Sequence, residues 1–260
     1  MTVDYHLVTE LSGDDVTREQ VARLRDRYHW ASTYCDGKDV LEVACGSGSG
    51  LGCLAARARS VHAGDCVEAL LVTVRSHYRD DIWLVRFDAQ AMPYGGQTFD
   101  VIVLFEAIYY IPSIEAFIGE CKRVLRPGGK VLIATANKNL FDFNASPFSV
   151  AYYGVVELFE LFGAKGFEAE FFGNMAVEHA SWRQRILRPL KWLAVRLDLM
   201  PKTNQGKKWL KSLVFGSLVK MPAEIKVGDY TGAPPLPLPT FREDMRHKVI
   251  YCVASLPIDS

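Results

Sequence analysis

A glycine-rich turn follows a short apolar segment early in the chain. The stretch VLEVACGSGSG at 40–50 places three glycines at alternate positions, after a strand-like run that contains Glu42. Glycines let a backbone turn sharply and approach a ligand closely. A nicotinamide-binding G-x-G-x-x-G turn would have glycine where Leu51 stands, and a carboxylate at the strand end would repel a pyrophosphate. The pattern therefore favours a ligand that carries an ammonium or sulfonium group.

Two further carboxylates stand at the ends of the next strand-like runs. Asp65 closes SVHAGD at 60–65, and Asp88 closes DIWLVRFD at 81–88. Because the carboxyl ends of parallel strands meet at one edge of a sheet, both should lie beside the glycine turn, where an acid can accept hydrogen bonds from a ribose diol. A strand-end Asp is also a common helix cap, so only the combination favours a ligand with ribose and adenine.

The elements that must position these residues alternate between strand and helix. The patterns predict strands at 39–44, 60–65, 81–88, 99–106, 130–137, 166–173 and 247–255, and helices at 18–34, 51–59, 67–78, 114–125 and 150–162, with a turn at 126–129. Short runs that are apolar on both faces are typical of a buried parallel sheet. The predicted fold class is α/β, with a doubly wound, mostly parallel seven-stranded sheet of the Rossmann-like type.

A long insertion, residues 174–246, separates the last two predicted strands and must have structure of its own. We expect a helical cap there. Its end, GAPPLPLP at 232–239, is predicted to be an extended tether rather than helix or strand. The resulting division is a helical segment 1–34, a core 35–174, a basic helical insertion 175–240 and a final strand region 241–260.

The composition sets outer bounds on function. The chain has 260 residues, 49% of them apolar, and 30 basic side chains balance 30 acidic ones. A net charge of zero gives no general attraction to nucleic acid. Six cysteines without a CxxC pair are typical of reduced thiols, and no signal peptide or membrane span is recognised. The sequence predicts a cytoplasmic protein that does not bind nucleic acid.

Several segments in this order resemble the class I S-adenosylmethionine-dependent methyltransferases of the type-11 group. They are VLEVACGSGSG, VHAGD, DAQAMPY at 88–94, FDVIVLFEAIYYIP at 99–112 and RVLRPGG, within residues 20–175. The resemblance implies S-adenosyl-L-methionine as the cofactor and no metal. The implied cofactor contacts are Tyr28, Glu42, Ala44, Gly46, Gly48, Asp65, Cys66, Asp88, Ala89 and Phe105.

The same resemblance implies a role for most of these residues. Glu42 and the glycine turn line the methionine end of the cofactor, and Asp65 holds the ribose. Asp88 and the backbone of Ala89 contact adenine, and Phe105 flanks the methyl group. The run RYHWA at 27–31 resembles the helix that often closes over the cofactor and supplies Tyr28, whereas Ala44 stands where many relatives have a first glycine.

Candidate catalytic residues lie after the fourth predicted strand and in the insertion. Glu106, Tyr109 and His179 are the candidate bases, and Tyr110 is a candidate acceptor contact. Packing of the two tyrosines and a structural role for the lone histidine are the alternatives. FEAI at 105–108 lacks an NPPY-like tetrapeptide, which argues against amino methylation of DNA bases or protein amides. Hydroxyl, carbon and amine groups of small molecules remain as candidate methyl acceptors.

The insertion is strongly basic. Residues 181–220 contain ten Lys and Arg against Asp198 alone, and apolar residues recur at helical spacing among them. We expect Arg183, Arg185 and Arg188 to bind an anionic acceptor, such as a phosphorylated sugar. Contact with an anionic membrane surface and a solvated cap are the alternatives. PKTNQGKKWLKSLVFG at 201–216 also resembles methyltransferases associated with bacterial cell-surface glycan synthesis, which implies a glycan acceptor.

The function predicted from the sequence is therefore O-methylation of an anionic sugar-type or natural-product acceptor. C- or N-methylation of a small metabolite is the alternative within the same class. Two functions from other classes also stay open at this point, an NAD-binding oxidoreductase and a cofactor-binding scaffold without catalysis.

Overall fold

The computed structural model describes residues 9–79, 81–177, 218–228 and 232–258. Most of the predicted insertion, including His179, Arg183, Arg185 and Arg188, lies outside these ranges. The described elements are β1 (Asp15–Val16), α1 (Arg18–Ser32), β2 (Asp39–Val43), α2 (Leu51–Ala55), β3 (Ser60–Asp65), α3 (Glu68–Tyr78), β4 (Trp83–Arg86), β5 (Phe99–Phe105), α4 (Ile114–Val124), β6 (Leu125–Ala136), α5 (Val155–Gly163), β7 (Glu168–Ala176), β8 (Val219–Lys220), β9 (Leu236–Leu238) and β10 (His247–Ser255).

The main sheet has the order β4-β3-β2-β5-β6-β10-β7-β9 in the described chain. Strands β4, β3, β2, β5 and β6 pair in parallel, and β10 is antiparallel to both β6 and β7. The predicted doubly wound, mostly parallel sheet is thus confirmed, with β9 as an additional strand. A separate two-stranded sheet joins β1 to β8.

The buried apolar side chains divide between the two faces of the sheet. Helices α1, α2 and α3 contribute to one cluster, and α4 and α5 contribute to the other. Successive residues of β2 show the division, since Val40 belongs to the first cluster and Leu41 to the second. Both are fully buried. Strands buried on both faces explain why the sequence shows continuous apolar runs rather than alternation.

Four local predictions were wrong in the type of element or by four or more residues at one end, whereas the other bounds differ by at most three residues. Leu236–Leu238, within the proline-rich segment, is a strand that pairs with β7, because an edge strand tolerates proline. Helix α5 begins at Val155 rather than at 150, since Glu157 caps the amide of Gly154. Helix α2 ends at Ala55 rather than at 59. The 126–129 segment continues β6 instead of forming a separate turn.

Helix α1 has a well-defined start and a buried aromatic end. Thr17 and Gln20 form a capping box, with Gln20 N donating to Thr17 Oγ1 at 3.1 Å and Thr17 N donating to Gln20 Oε1 at 2.9 Å. Trp30 stacks on Tyr251 of β10 with ring centroids 4.5 Å apart. These contacts fix α1 against the carboxyl edge of the sheet.

Candidate active site

A cavity of about 760 Å³ lies at the carboxyl edge of the sheet. Eleven of the sequence-predicted residues line it: Tyr28, Ala44, Gly46, Asp65, Cys66, Asp88, Ala89, Phe105, Glu106, Tyr109 and Tyr110. Among the described residues, Glu42 and Gly48 are predicted contacts that do not line the cavity wall. The topology therefore brings together residues from Tyr28 to Tyr110 of the sequence, as expected for a doubly wound sheet.

Asp65 ends β3 with its carboxylate fixed by backbone amides. Gly46 N donates to one oxygen at 3.0 Å, and Val67 N donates to the other at 2.9 Å. Burial raises the pKa of Asp65, and these hydrogen bonds oppose the rise. Each carboxylate oxygen can accept a further hydrogen bond. The side chain is therefore oriented for a ligand that offers a pair of hydroxyl groups.

The turn after β2 depends on left-handed backbone conformations. Gly48 has φ +74, and a Cβ there would lie 3.0 Å from Leu51 and Val74. Ala44 has φ +54, a region that costs a residue other than glycine roughly 1–2 kcal/mol. Gly48 thus has a packing role, whereas Ala44 adopts a left-handed backbone conformation that glycine would adopt more easily.

The segment after β4 forms a second part of the cavity wall. Phe87, Asp88, Ala89 and Gln90 line it. Asp88 is exposed, and its Oδ1 accepts a hydrogen bond of 2.8 Å from the Gln90 amide. Beside this segment, burial raises the pKa of the Cys66 thiol to about 11, with Asp65 adding to the effect. Cys66 therefore stays a neutral thiol on the wall rather than a nucleophilic thiolate.

Glu42 faces Tyr28 instead of the cavity. The Tyr28 hydroxyl donates to Glu42 Oε1, and Glu42 Oε2 is buried without a hydrogen-bond partner. Tyr28 rests directly on the glycine turn, since a Cβ on Gly50 would lie 2.1 Å from its ring. Burial raises the pKa of Glu42 to about 7. Direct contact between Glu42 and the cofactor stays a prediction.

Glu106, directly after β5, is held by neighbours on two sides. Tyr109 donates a hydrogen bond of 3.2 Å to Oε2 of Glu106, and Nη1 of Arg27 lies 3.7 Å from Oε1. Glu106 has φ +51, a strained conformation of the kind that often occurs at functional sites. Burial and the Glu106 carboxylate raise the pKa of Tyr109 well above its ordinary value. Tyr109 therefore remains a protonated donor.

A further part of the cavity wall comes from the 137–154 loop. Tyr152 stacks on Tyr109 with centroids 4.3 Å apart, and Phe143 contacts Tyr152 edge to face at 4.7 Å. Tyr110 Oη lies 2.5 Å from Ser146 Oγ. This wall combines aromatic faces with hydroxyl groups, which suits the ring and hydroxyl groups of a small organic molecule.

Sequence reasoning missed part of the cavity wall. The additional residues include Thr9, Glu10, Gln20, Arg23, Arg27, Tyr152 and Met221. The available signal was the helical spacing of Val21, Leu24 and Tyr28, which defines the buried face of α1 and places Arg27 beside it. Nothing in the sequence pattern indicated that Met221 returns to this edge.

No helix within the described ranges combines the length and the apolar character needed to cross a bilayer. The same ranges contain no group of three His, Cys, Asp or Glu side chains placed to hold a metal ion.

Comparisons with known proteins agree with this architecture. A family model described as a methyltransferase domain, Methyltransf_11, matches residues 41–133. A probable S-adenosylmethionine-dependent methyltransferase of Mycolicibacterium smegmatis is 38% identical over 52% of this chain and 54% of its own length. The phthiotriol/phenolphthiotriol dimycocerosates methyltransferase 1 of Mycobacterium ulcerans is 33% identical over 48% of this chain and 46% of its own length.

A solved structure extends the similarity of fold to nearly the whole chain. A SAM-dependent methyltransferase from Thermotoga maritima aligns with 91% of this chain and 92% of its own, with a TM-score of 0.58 and 12% identity. The fold is therefore that of the class I methyltransferases, and residues 41–133 are similar to the methyltransferase-domain family model. The cofactor that these similarities indicate is S-adenosyl-L-methionine. The chain spans about half the length of the curated relatives it matches.

Proposed function

We propose that this protein is an S-adenosylmethionine-dependent methyltransferase that O-methylates a small-molecule or glycan acceptor bearing negative charge. The observation that carries the proposal is the arrangement of Asp65 and Glu106 on the wall of one cavity. Asp65 has the geometry for a ribose diol, and Glu106 lies where an acceptor hydroxyl would meet a carboxylate. A cavity with a nucleoside end and a basic group is what methyl transfer to a hydroxyl requires.

The residues present fit the cofactor. Asp65 is fixed by two amides and keeps lone pairs for the ribose, and Asp88 and Ala89 lie on the same wall for the adenine. When bound, S-adenosylmethionine supplies an electrophilic methyl group on a positively charged sulfur. The protein then has two tasks, which are alignment of the acceptor and removal of its proton.

Glu106 is the best candidate for the base. Tyr109 donates a hydrogen bond to it and keeps its own proton because of its raised pKa. Glu106 Oε1 lies away from Tyr109, beside Arg27 at 3.7 Å, so it is the oxygen that would accept the acceptor's proton. His179 stays a predicted base outside the described residues. In this interpretation Tyr109 is a positioning residue for Glu106.

The negative charge of the acceptor is inferred from the cationic side chains near the site. Arg23 and Arg27 line the cavity, and the basic run 181–220 carries nine excess positive charges. Cations beside a cleft raise the local concentration of an anion. One relative is named for phthiotriol dimycocerosates, so a lipid-linked acceptor fits as well as a sugar phosphate. Peripheral contact of the basic run with a membrane remains part of the proposal.

The first test is direct binding of the cofactor. Calorimetry should detect binding of S-adenosylmethionine and S-adenosylhomocysteine. Asp65→Ala should weaken the binding free energy of both by about 1–3 kcal/mol, because the ribose hydroxyl donors lose their acceptor. The matched control is Glu68→Gln, which changes an exposed acid at the start of α3. Since Asp65 also accepts hydrogen bonds from two backbone amides, circular dichroism should first show that the variant is folded at the assay temperature.

Other outcomes would favour the alternatives. Binding of NAD together with failure of both adenosyl ligands would support an oxidoreductase and contradict the proposal. Transfer of labelled methyl groups to any acceptor would exclude a non-catalytic scaffold. The position of the label in the product, read by NMR, would separate O-methylation from methylation at carbon or nitrogen.

A further inference from the structure

Helix α1 turns one face toward the cavity, and that face carries two arginines. Gln20, Arg23, Leu24, Arg27 and Tyr28 all line the cavity, and their spacing of three and four residues places them on one side of a helix. Leu24 and Tyr28 are buried, as expected for the packed face. Arginines on the same face are unusual, because a desolvated guanidinium needs a partner.

Arg27 has donor groups that no described residue satisfies. Its one ion pair within the described ranges is the 3.7 Å contact with Glu106, which exceeds hydrogen-bond distance. Its Nε is buried and has no hydrogen-bond partner. The rings of Tyr28 and Phe105 lie 5.8 and 5.9 Å from the guanidinium carbon and stabilise its position through cation–π contacts. The guanidinium is therefore held in place with open donors.

The Arg27 guanidinium stays positively charged. Burial alone would lower the pKa of Arg27, but the combined effect of Glu106, Tyr28, Glu10 and Tyr251 outweighs burial and the pKa is raised. Arg23 lies one turn earlier on the same face and forms no ion pair within the part of the chain that the structure describes. Two cations thus line the cavity wall, with Glu106 in loose contact with Arg27 and Glu10 acting on it over a longer distance.

We propose that Arg27, assisted by Arg23, binds an anionic oxygen group, a carboxylate or a phosphate, of a molecule in this cavity. A planar guanidinium can donate two parallel hydrogen bonds to such a group. The identity of that molecule rests on the proposed function. The group belongs either to the amino-acid end of the cofactor or to the acceptor, and the two sources are separable by binding experiments.

The experiment compares three ligands by calorimetry in the full-length protein and its variants. S-adenosylhomocysteine contains the carboxylate, and 5′-methylthioadenosine is a thioether nucleoside that lacks the whole amino-acid end, both carboxylate and ammonium. Inorganic pyrophosphate represents an anionic acceptor. Arg27→Gln should lower the affinity for either S-adenosylhomocysteine or pyrophosphate about tenfold to a hundredfold. Arg23→Gln should lower the same affinity by a smaller factor. Arg27→Lys should recover part of the loss, because it keeps the charge but not the fork. Arg18→Gln, exposed at the start of α1, is the control.

The pattern of losses decides the source. If the affinity for S-adenosylhomocysteine falls while the affinity for methylthioadenosine is unchanged, the site binds the cofactor's carboxylate. Weakening of pyrophosphate alone assigns it to the acceptor. Equal weakening of both nucleosides, or no change in any ligand, would overturn the proposal, since the first outcome indicates a packing role for Arg27.

This design also separates the two proposals. If the unmodified protein binds neither nucleoside, the proposed function fails, and the pyrophosphate titration still decides whether Arg27 binds an anion. If both nucleosides bind and no variant of Arg27 changes any affinity, only the anion site is lost.

Discussion

Glu42 is a carboxylic acid enclosed by protein on all sides. Its exposed fraction is 1%, and the hydroxyl of Tyr28 is its hydrogen-bond donor. An ionised carboxylate in this position would be poorly solvated. Burial favours the protonated form more strongly than the hydrogen bond from Tyr28 favours the ionised form, so the Glu42 pKa rises from 4.5 to about 7. A sequence pattern cannot reveal this, because the partner comes from a helix fourteen residues earlier.

The raised pKa makes stability depend on pH. In the unfolded chain Glu42 ionises near pH 4.5, whereas the folded protein holds the proton to about pH 7. The free energy of unfolding should therefore fall as the pH rises through this interval, by at most about 3 kcal/mol. Glu42→Gln should remove this fall and leave the variant relatively more stable above pH 7.

Urea unfolding between pH 4.5 and 8 measures both curves. Glu115→Gln, an exposed acid at the start of α4, should leave the pH dependence unchanged. Parallel curves for the natural protein and Glu42→Gln would show that Glu42 ionises normally in the folded state.

Some site residues were predictable and others were not, for a physical reason. Asp65, Asp88 and Glu106 follow strands, and parallel strands end at one edge, so the sequence pattern was enough to bring them together. Arg27 faces the cavity only because α1 packs with Leu24 inward. Helix orientation depends on tertiary packing, which single-chain periodicity does not specify.

At the scale of elements, α1 supplies one whole wall of the cavity. Its position depends on its first turn, where the capping box satisfies backbone amides, and on an ion pair of 2.7 Å between Glu19 and Lys248. The helix therefore links the cavity to the start of β10. Loosening its first turn should loosen the wall.

Thr17→Ala tests the contribution of the cap. Loss of the Oγ1 acceptor for the Gln20 amide should lower the free energy of unfolding by about 1 kcal/mol and accelerate hydrogen exchange of the α1 amides. Chemical unfolding and exchange measured by NMR give the two values. Thr73→Ala on α3, where the hydroxyl makes only a 3.4 Å contact with Ala69 O, should change stability by less. Equal effects of the two substitutions would argue against a role for the cap.

Elements with a clear periodic pattern were predicted accurately. A helix boundary that depends on a single residue was not. The strands at 60–65 and 247–255 match the structure to the residue. The start of α5 does not, because the apolar run from Val150 continues into the helix without a change of pattern. Its boundary is set by Gly154 and a capping contact of Glu157, which hydrophobicity does not record.

At the scale of the molecule, the residues on either side of the basic run 181–220 are tied to the same region. Val177 N donates to Arg246 O at 2.7 Å, and Met221 N donates to Asp14 O at 2.9 Å, close to the start of α1. The chain thus leaves and re-enters the described structure beside the cavity-forming helix. We therefore expect the positive charge of the basic run to act on a ligand that enters the cavity.

The charge of the insertion predicts a salt effect. For an anionic acceptor, the Michaelis constant should rise with ionic strength, since the Debye length falls from about 10 Å at 0.1 M to about 3 Å at 1 M. Replacing Arg183, Arg185 and Arg188 with Gln should raise it at low salt, with cofactor affinity unchanged. Steady-state kinetics in increasing sodium chloride gives both comparisons.

The control removes the same number of charges elsewhere. Lys38, Arg79 and Lys165 are exposed and precede strands at the opposite edge of the sheet, so changing them to Gln should leave the Michaelis constant unaltered. Identical behaviour of both triple variants, or kinetics independent of salt, would contradict recognition of an anion by the insertion.

Strand β9 has a consequence for self-association. It is the outermost strand of the described sheet beyond β7, and prolines occupy positions 235, 237 and 239 in and around it. Proline has no amide hydrogen to offer, so at these positions a second chain would find only carbonyl acceptors and could form only an incomplete hydrogen-bonded ladder along this margin. An open strand is a template for aggregation, and β9 converts that margin of the sheet into one that resists polymerisation.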